Sequence, residues 1–217
     1  MSQHRPIVWL SSRSILPNQS KNLIWNLSRH DIIDDDMDIV TRELVHHDYV
    51  SQLIFSYNRI TDITSLWDVM SQLIYLDLRH NNITNIYPIT ASTNNLKYLD
   101  LSFNNISDIS PLHGRCANIK IMRLNNNRIK DLCYLESSLM SICELYLNDN
   151  EITDISHLSY NNDLSNLNIL YLDNNKIAKL ESISHMMPEL TTLNITDNAI
   201  DDIMNLHTFV PKLKILK

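Results

Sequence analysis

Asparagines at positions 58, 81, 104, 127, 150, 175 and 198 follow one another at 23-residue intervals, with a single step of 25. Each closes the same apolar pattern: Leu73, Leu76, Leu78, Asn81 and Ile83 in one copy, Leu96, Leu99, Leu101, Asn104 and Ile106 in the next. No single copy can bury its own apolar edge, so the copies must stack on one another. Within a copy the alternation has the period of a strand, which turns Leu76 and Leu78 inward and the intervening residues toward solvent. The asparagine stands where the chain leaves that strand. Its amide is both acceptor and donor, and it is placed to bond backbone groups of its own and adjacent copies that burial would otherwise leave unpaired. Beyond it, Ile60 with Ile63, Ile106 with Ile109, Ile129 with Leu132, Ile152 with Ile155 and Ile200 with Ile203 are expected to close the core from the opposite side.

The pattern is the L-x-x-L-x-L-x-x-N-x-L consensus, and over residues 50–217 the chain resembles the leucine-rich repeat proteins. The resemblance implies an α/β fold: a horseshoe-shaped solenoid with a parallel β-sheet on its concave face and short helices, 3-10 turns or loops on its convex face. The tails beginning at Ile60, Ile106 and Ile152 are similar to two branches of that superfamily, the phosphatase-regulator-like repeats of eukaryotes and the internalins of Gram-positive pathogens. Internalin-like repeats run at 22 residues behind a signal peptide. The 23-residue period, and an apolar run at Ile7 to Leu10 too short for a secretory leader, point instead to the intracellular branch and a cytoplasmic location. Pro211, Leu213 and Leu216 resemble the cap of that branch, cut short.

The organisation read from these signals has four parts. Residues 1–22 form a flexible arm, 23–49 a degenerate N-terminal capping repeat with a helix, 50–212 seven repeats and 213–217 a terminal half-repeat. In the degenerate copy His30 takes the ladder position, and Met37, Val40 and Leu44 have helical spacing. Asp34, Asp36 and Asp38 imitate a calcium loop, but Ile39 and Val45 occupy the positions where such a loop needs Gly and a bidentate Glu. A helix start favoured by its dipole is the better reading.

Several function classes are excluded. Gly114 is the only glycine, so no phosphate-cradling loop or nucleophile elbow can be written. A net charge of −7 argues against direct nucleic-acid binding, which requires a basic face. No stretch has the ~18 apolar residues of a membrane span. Cys116, Cys133 and Cys143 lack metal or disulfide spacing and read as reduced thiols. His46 and His47 are the only tight histidine pair, and no catalytic set can be assembled around them. The expectation is a protein that is not an enzyme and carries no cofactor or metal.

Function must then lie in the variable positions of the sheet. Numbering each motif from its first apolar residue, positions three, five, seven and eight face the concave side. They include Ile54, Tyr57, Tyr75, Asp77, Tyr98, Asp100, Phe103, Ile121, Arg123, Glu144, Tyr146, Asp149, Ile169, Tyr171 and Asp173. Large apolar and aromatic groups interleaved with charges have the composition of a protein-binding surface. Asp149, Asp173 and Asp197 cluster toward one end and suit a basic partner segment. The reading is a monomeric adaptor or regulatory subunit. The alternatives are a phosphatase regulator proper, and a structural protein that self-associates through the sheet edge at Leu213 and Leu216.

Overall fold

The computed structural model describes residues 23–45, 50–90, 93–135, 138–159, 164–180, 187–203 and 206–217. The arm read over residues 1–22 and the pair His46 and His47 lie outside them. Among the described residues nine strands form one parallel sheet in sequence order: β1 (Leu23–Asn26), β2 (Val50–Ile54), β3 (Tyr75–Asp77), β4 (Tyr98–Asp100), β5 (Ile121–Arg123), β6 (Glu144–Tyr146), β7 (Ile169–Tyr171), β8 (Thr192–Asn194) and β9 (Ile215–Leu216). Equivalent motif positions sit side by side, so Tyr75, Tyr98, Ile121, Glu144 and Ile169 are successive partners across β3 to β7.

Each return path is built by the repeat itself. Asp62, Asp108, Asp131 and Asp154 accept the backbone N–H two residues on, which starts a tight turn at Thr64, Ser110, Cys133 and Ser156. These turns become the 3-10 segments Thr64–Asp68, Ser110–Leu112 and Cys133–Leu135, or the one-turn helix α2 (Ser156–Ser159). A third apolar residue then seals the core at Leu66, Leu112, Leu135 and Leu158, each at most 1% exposed. No helix among the described residues is long and apolar enough to cross a membrane.

Before the regular copies stands α1 (Asp34–Val45), which buries Met37, Val40 and Leu44 against the core. Its acidic start is used by the backbone. Asp36 accepts the N–H of Ile33, and Asp34 accepts those of Thr61 and Asp62 from the following copy. Burial alone would raise the Asp34 pKa, but these donors hold it below the ordinary carboxylate value. The ladder role expected of His30 needs correction: its side chain is exposed and bonds the carbonyl of Ser28. The closing role expected of Ile203 also needs correction, because Ile203 is 54% exposed and Ile200 only partly buried. An apolar residue of a stacked copy is covered by the neighbour above it, and no described residue covers Ile203 in that way.

Seven asparagines form the ladder along the inner turn. In its central rung the Asn127 Nδ2 donates to the carbonyls of Leu101 and Leu124, both at 3.0 Å, and Oδ1 accepts the N–H of Ile106 at 3.0 Å. The same three-way bond recurs from Asn81 to Asn198. Asn58 makes it with the degenerate copy, accepting from the N–H groups of His30 and Ile32. The three cysteines are free thiols, and burial pushes Cys116 up to about 12.

Candidate functional site

The strands from β3 to β8 have only three residues each, so the concave face is a set of rows crossing the strands. In the third-position row, Tyr75 and Tyr98 stack with ring centroids 4.1 Å apart and planes 5° apart. In the fifth-position row, Tyr146 and Tyr171 stack at 5.2 Å. Arg123 lies between the two pairs, its guanidinium carbon 4.7 Å from the Tyr146 ring centre and 5.9 Å from that of Tyr98. Its Nε is buried without a hydrogen-bond partner. The nearby carboxylates are engaged with tyrosines instead: Tyr98 donates its hydroxyl to Asp100 and Tyr146 donates to Glu144. Burial raises the pKa of both phenols, so they remain hydroxyl donors at neutral pH.

Two expected contact residues do not face solvent. Asp77 and Asp100 are 2% and 1% exposed. Asp77 accepts the N–H of Arg79 and lies 3.4 Å from the Arg79 Nε, while Asp100 accepts both the N–H and the hydroxyl of Ser102. Asn194 does the same for Thr196. A short Asp or Asn at the fifth position folds back onto the seventh residue's N–H and steadies the strand exit. Asp77 and Asp100 are therefore corrected to structural groups beneath the face. Ile54, Ile121, Arg123, Glu144, Tyr146, Ile169 and Tyr171 are half-buried on it.

The eighth-position row carries a backbone feature that alternation alone does not reveal. Arg29, Tyr57, His80, Phe103, Asn126, Asp149, Asn174 and Asp197 all have positive φ, between 52° and 59°. From Arg29 to Asn174 their N–H groups meet seventh-position carbonyls of the following copy, as when His80 donates to Ser102, so the repeat imposes this left-handed turn on each of those copies. Asn, Asp and His adopt it more readily than other side chains, whereas Tyr and Phe pay a steric cost of about 1–2 kcal/mol. Three successive copies nonetheless use rings. Tyr57 stacks on His80 at 4.2 Å, His80 on Phe103 at 4.0 Å, and Arg29 covers the open side of Tyr57 at 4.7 Å. Tyr57 and Phe103 remain 39% and 41% exposed. Arg29 and His80 were not among the expected contacts. The Asn and Asp residues at the same position in the later copies are the signal that a left-handed turn recurs there.

At the other end of the row, Asp149 accepts amide protons from Asn126, Asn148 and Asn174. Asp173 has a buried Oδ1 without a hydrogen-bond partner. Burial, and then the charges of Asp149 and Asp197, hold its carboxyl above the ordinary value. A carboxyl raised in the folded state costs stability above that raised value and nothing once the pH falls below the unfolded value. Asp173→Asn is therefore expected to raise the thermal midpoint at pH 7, with a gain that disappears toward about pH 3. Melts at the two values test this, and an equal gain at both would show that charge is not the cause.

Family models for leucine-rich repeats match residues 49–105, 94–137, 141–185 and 188–203, together well over half of the chain. The chain belongs to the leucine-rich repeat family. No curated protein matches it by sequence. Among solved leucine-rich repeat structures, internalin F of Listeria monocytogenes superposes with a TM-score of 0.65 at 24% identity, over 80% of this chain and 56% of its own. This chain thus spans little more than half of that protein's length. Internalin C2 of the same organism gives 0.59 at 24% identity, over 81% of this chain and 80% of its own. The plant peptide hormone receptor RGFR1, solved in complex with RGF2, gives 0.66 at 20% identity, over 80% of this chain and 28% of its own. At these identities the likeness is one of fold.

Proposed function

We propose that this leucine-rich repeat chain is a non-catalytic protein-interaction module, an adaptor or regulatory subunit that holds a protein partner on its concave face. The observation that carries the reading is the pair of stacked tyrosine couples bracketing Arg123. Their carboxylate neighbours are already engaged by tyrosine hydroxyls, which leaves an aromatic, partly desolvated platform with a guanidinium at its centre. Asp149, Asp173 and Asp197 extend the platform with negative charge for a basic segment of the partner. A receptor of the same fold solved in complex with RGF2 is consistent with such use. Three free thiols suit a reducing compartment, and with the 23-residue period they favour an intracellular member of the phosphatase-regulator-like branch acting as a monomer.

The test is affinity capture from cell lysate, comparing wild type with a variant carrying Tyr75→Ala, Tyr98→Ala, Tyr146→Ala and Tyr171→Ala, after circular dichroism has shown both to be folded. A partner retained by wild type and lost by the variant is the expected result. Identical capture by both would overturn the concave reading. A second reading then takes its place, self-association through the edge of β9, where Ile215 and Leu216 are 47% and 44% exposed beside Ile203. Mass rising with concentration distinguishes it.

A further inference from the structure

The concave face is not electrically uniform, and the asymmetry follows the aromatic column. At the exit from β1 and β3 stand Arg29 and Arg79, on either side of Tyr57, with guanidinium carbons 4.7 and 5.7 Å from its ring centre. The carboxylates nearby, Asp77 and Asp100, are buried, with Asp77 3.4 Å from the Arg79 Nε, and the exposed Asp31 pairs with Arg59, so the charged groups facing solvent beside Tyr57 are the two guanidiniums. At the exit from β7 and β8 the same backbone positions present Asp173 and Asp197, and Asp197 is exposed. The eighth position changes chemistry in step: rings at Tyr57, His80 and Phe103, then Asn126, Asp149, Asn174 and Asp197 on an unchanged left-handed backbone. Where Asn fits more easily, the strained and exposed rings of Tyr57 and Phe103 on either side of His80 mark a place kept for contact rather than for folding.

We propose that the occupant of this face is an extended polypeptide segment lying across the strands in one direction, with an acidic side chain at Arg29 and Arg79, apolar side chains along the Tyr57, His80 and Phe103 column, and a Lys or Arg at Asp173 and Asp197. The length follows from the sheet. Neighbouring strands are ~4.8 Å apart, so Arg79 to Asp173 spans four intervals, ~19 Å, and Arg29 to Asp197 spans seven, ~34 Å. At ~3.4 Å per residue the opposite charges of the segment stand about six to ten residues apart. This proposal rests on the concave-face reading and adds to it the chemistry and the direction of the partner.

The experiment pans a displayed library of random 12-residue peptides on the wild-type protein. Enriched peptides are then synthesised, and their affinities measured by fluorescence polarisation against wild type, Arg29→Ala, Asp197→Asn and the four-tyrosine variant. The expected result is enrichment of peptides with an acidic and a basic residue in fixed order at that separation. Each single substitution should then weaken binding about tenfold, as should exchanging the two charges within the peptide. Peptides that need the tyrosines but show no charge order overturn the direction while leaving the concave reading intact. Peptides indifferent to the tyrosine variant, to Arg29→Ala and to Asp197→Asn alike overturn both. Failure to enrich any peptide overturns an extended segment as the occupant. Asn at Tyr57 and Phe103 provides a second check: Tyr57→Asn with Phe103→Asn should keep the thermal midpoint while losing the selected peptides. A large drop in the midpoint would show that the rings serve the fold.

Discussion

Replacing Asn127 with alanine is expected to lower the free energy of unfolding by about 3 kcal/mol, because one buried N–H loses its partner and two buried carbonyls each lose one of the two ladder bonds they accept, keeping those from Asn104 and Asn150. The three groups belong to Leu101, Leu124 and Ile106, and their bonds to the amide are all 3.0 Å long. At 9% exposure the site admits little water to replace the lost bonds. Asn198 makes the same set of bonds but is only half-buried, so Asn198→Ala should cost clearly less. Urea denaturation followed by circular dichroism measures both. Equal losses would mean that the rungs contribute through the turn they stabilise and not through burial.

The second large effect is expected at Phe55. It fills the sixth motif position, occupied by Leu78, Leu101, Leu124, Leu147 and Leu172 in the following copies, and it is completely buried. Phe55→Ala should cost about 3–5 kcal/mol, because the lost transfer energy is joined by the cost of a cavity the surrounding copies cannot fill. Phe55→Leu should cost less than about 1.5 kcal/mol, since leucine is the shape the repeat accommodates elsewhere. The backbone limits collapse here: the carbonyl of Phe55 accepts from both Asn58 and Asn81, so two rungs pin the residue from either side. Near-equal midpoints for the two variants in the same denaturation series would show instead that the copy relaxes around the gap.

Much of this architecture is legible in the chain. The period gives the number of stacked copies, the alternation gives Leu76, Leu78 and their equivalents as core, and helical spacing gives Met37, Val40 and Leu44 on the buried side of α1. Burial of apolar side chains is a one-body preference, and a periodic pattern records it directly. The rows of the concave face are legible for the same reason. Asp77 and Asp100 are not, because alternation assigns a side and says nothing about a carboxylate turning back to an N–H two residues along beneath flanking tyrosines. His30 fails likewise: its ring bonds within its own turn, where the asparagine amide reaches across to the preceding copy. The left-handed eighth position is partly legible in His80, Asn126, Asp149, Asn174 and Asp197, but Tyr57 and Phe103 hide it, since their rings at positive φ run against residue preference.

The step of 25 residues between Asn150 and Asn175 carries a consequence for how such a molecule can change over time. Asn175 accepts from the N–H of Ile152 at 3.0 Å across 23 residues, whereas every other rung from Asn81 onward spans 21 at the same distance. Two additional residues have entered the outer return path, and neither the rung nor the pairing of Tyr146 with Tyr171 records them. Length on the outside is thus decoupled from spacing on the inside. Insertions and deletions can drift along the back of the molecule while the inner rows keep their pitch, like the beads of an abacus held on their rods whatever the thickness of the frame.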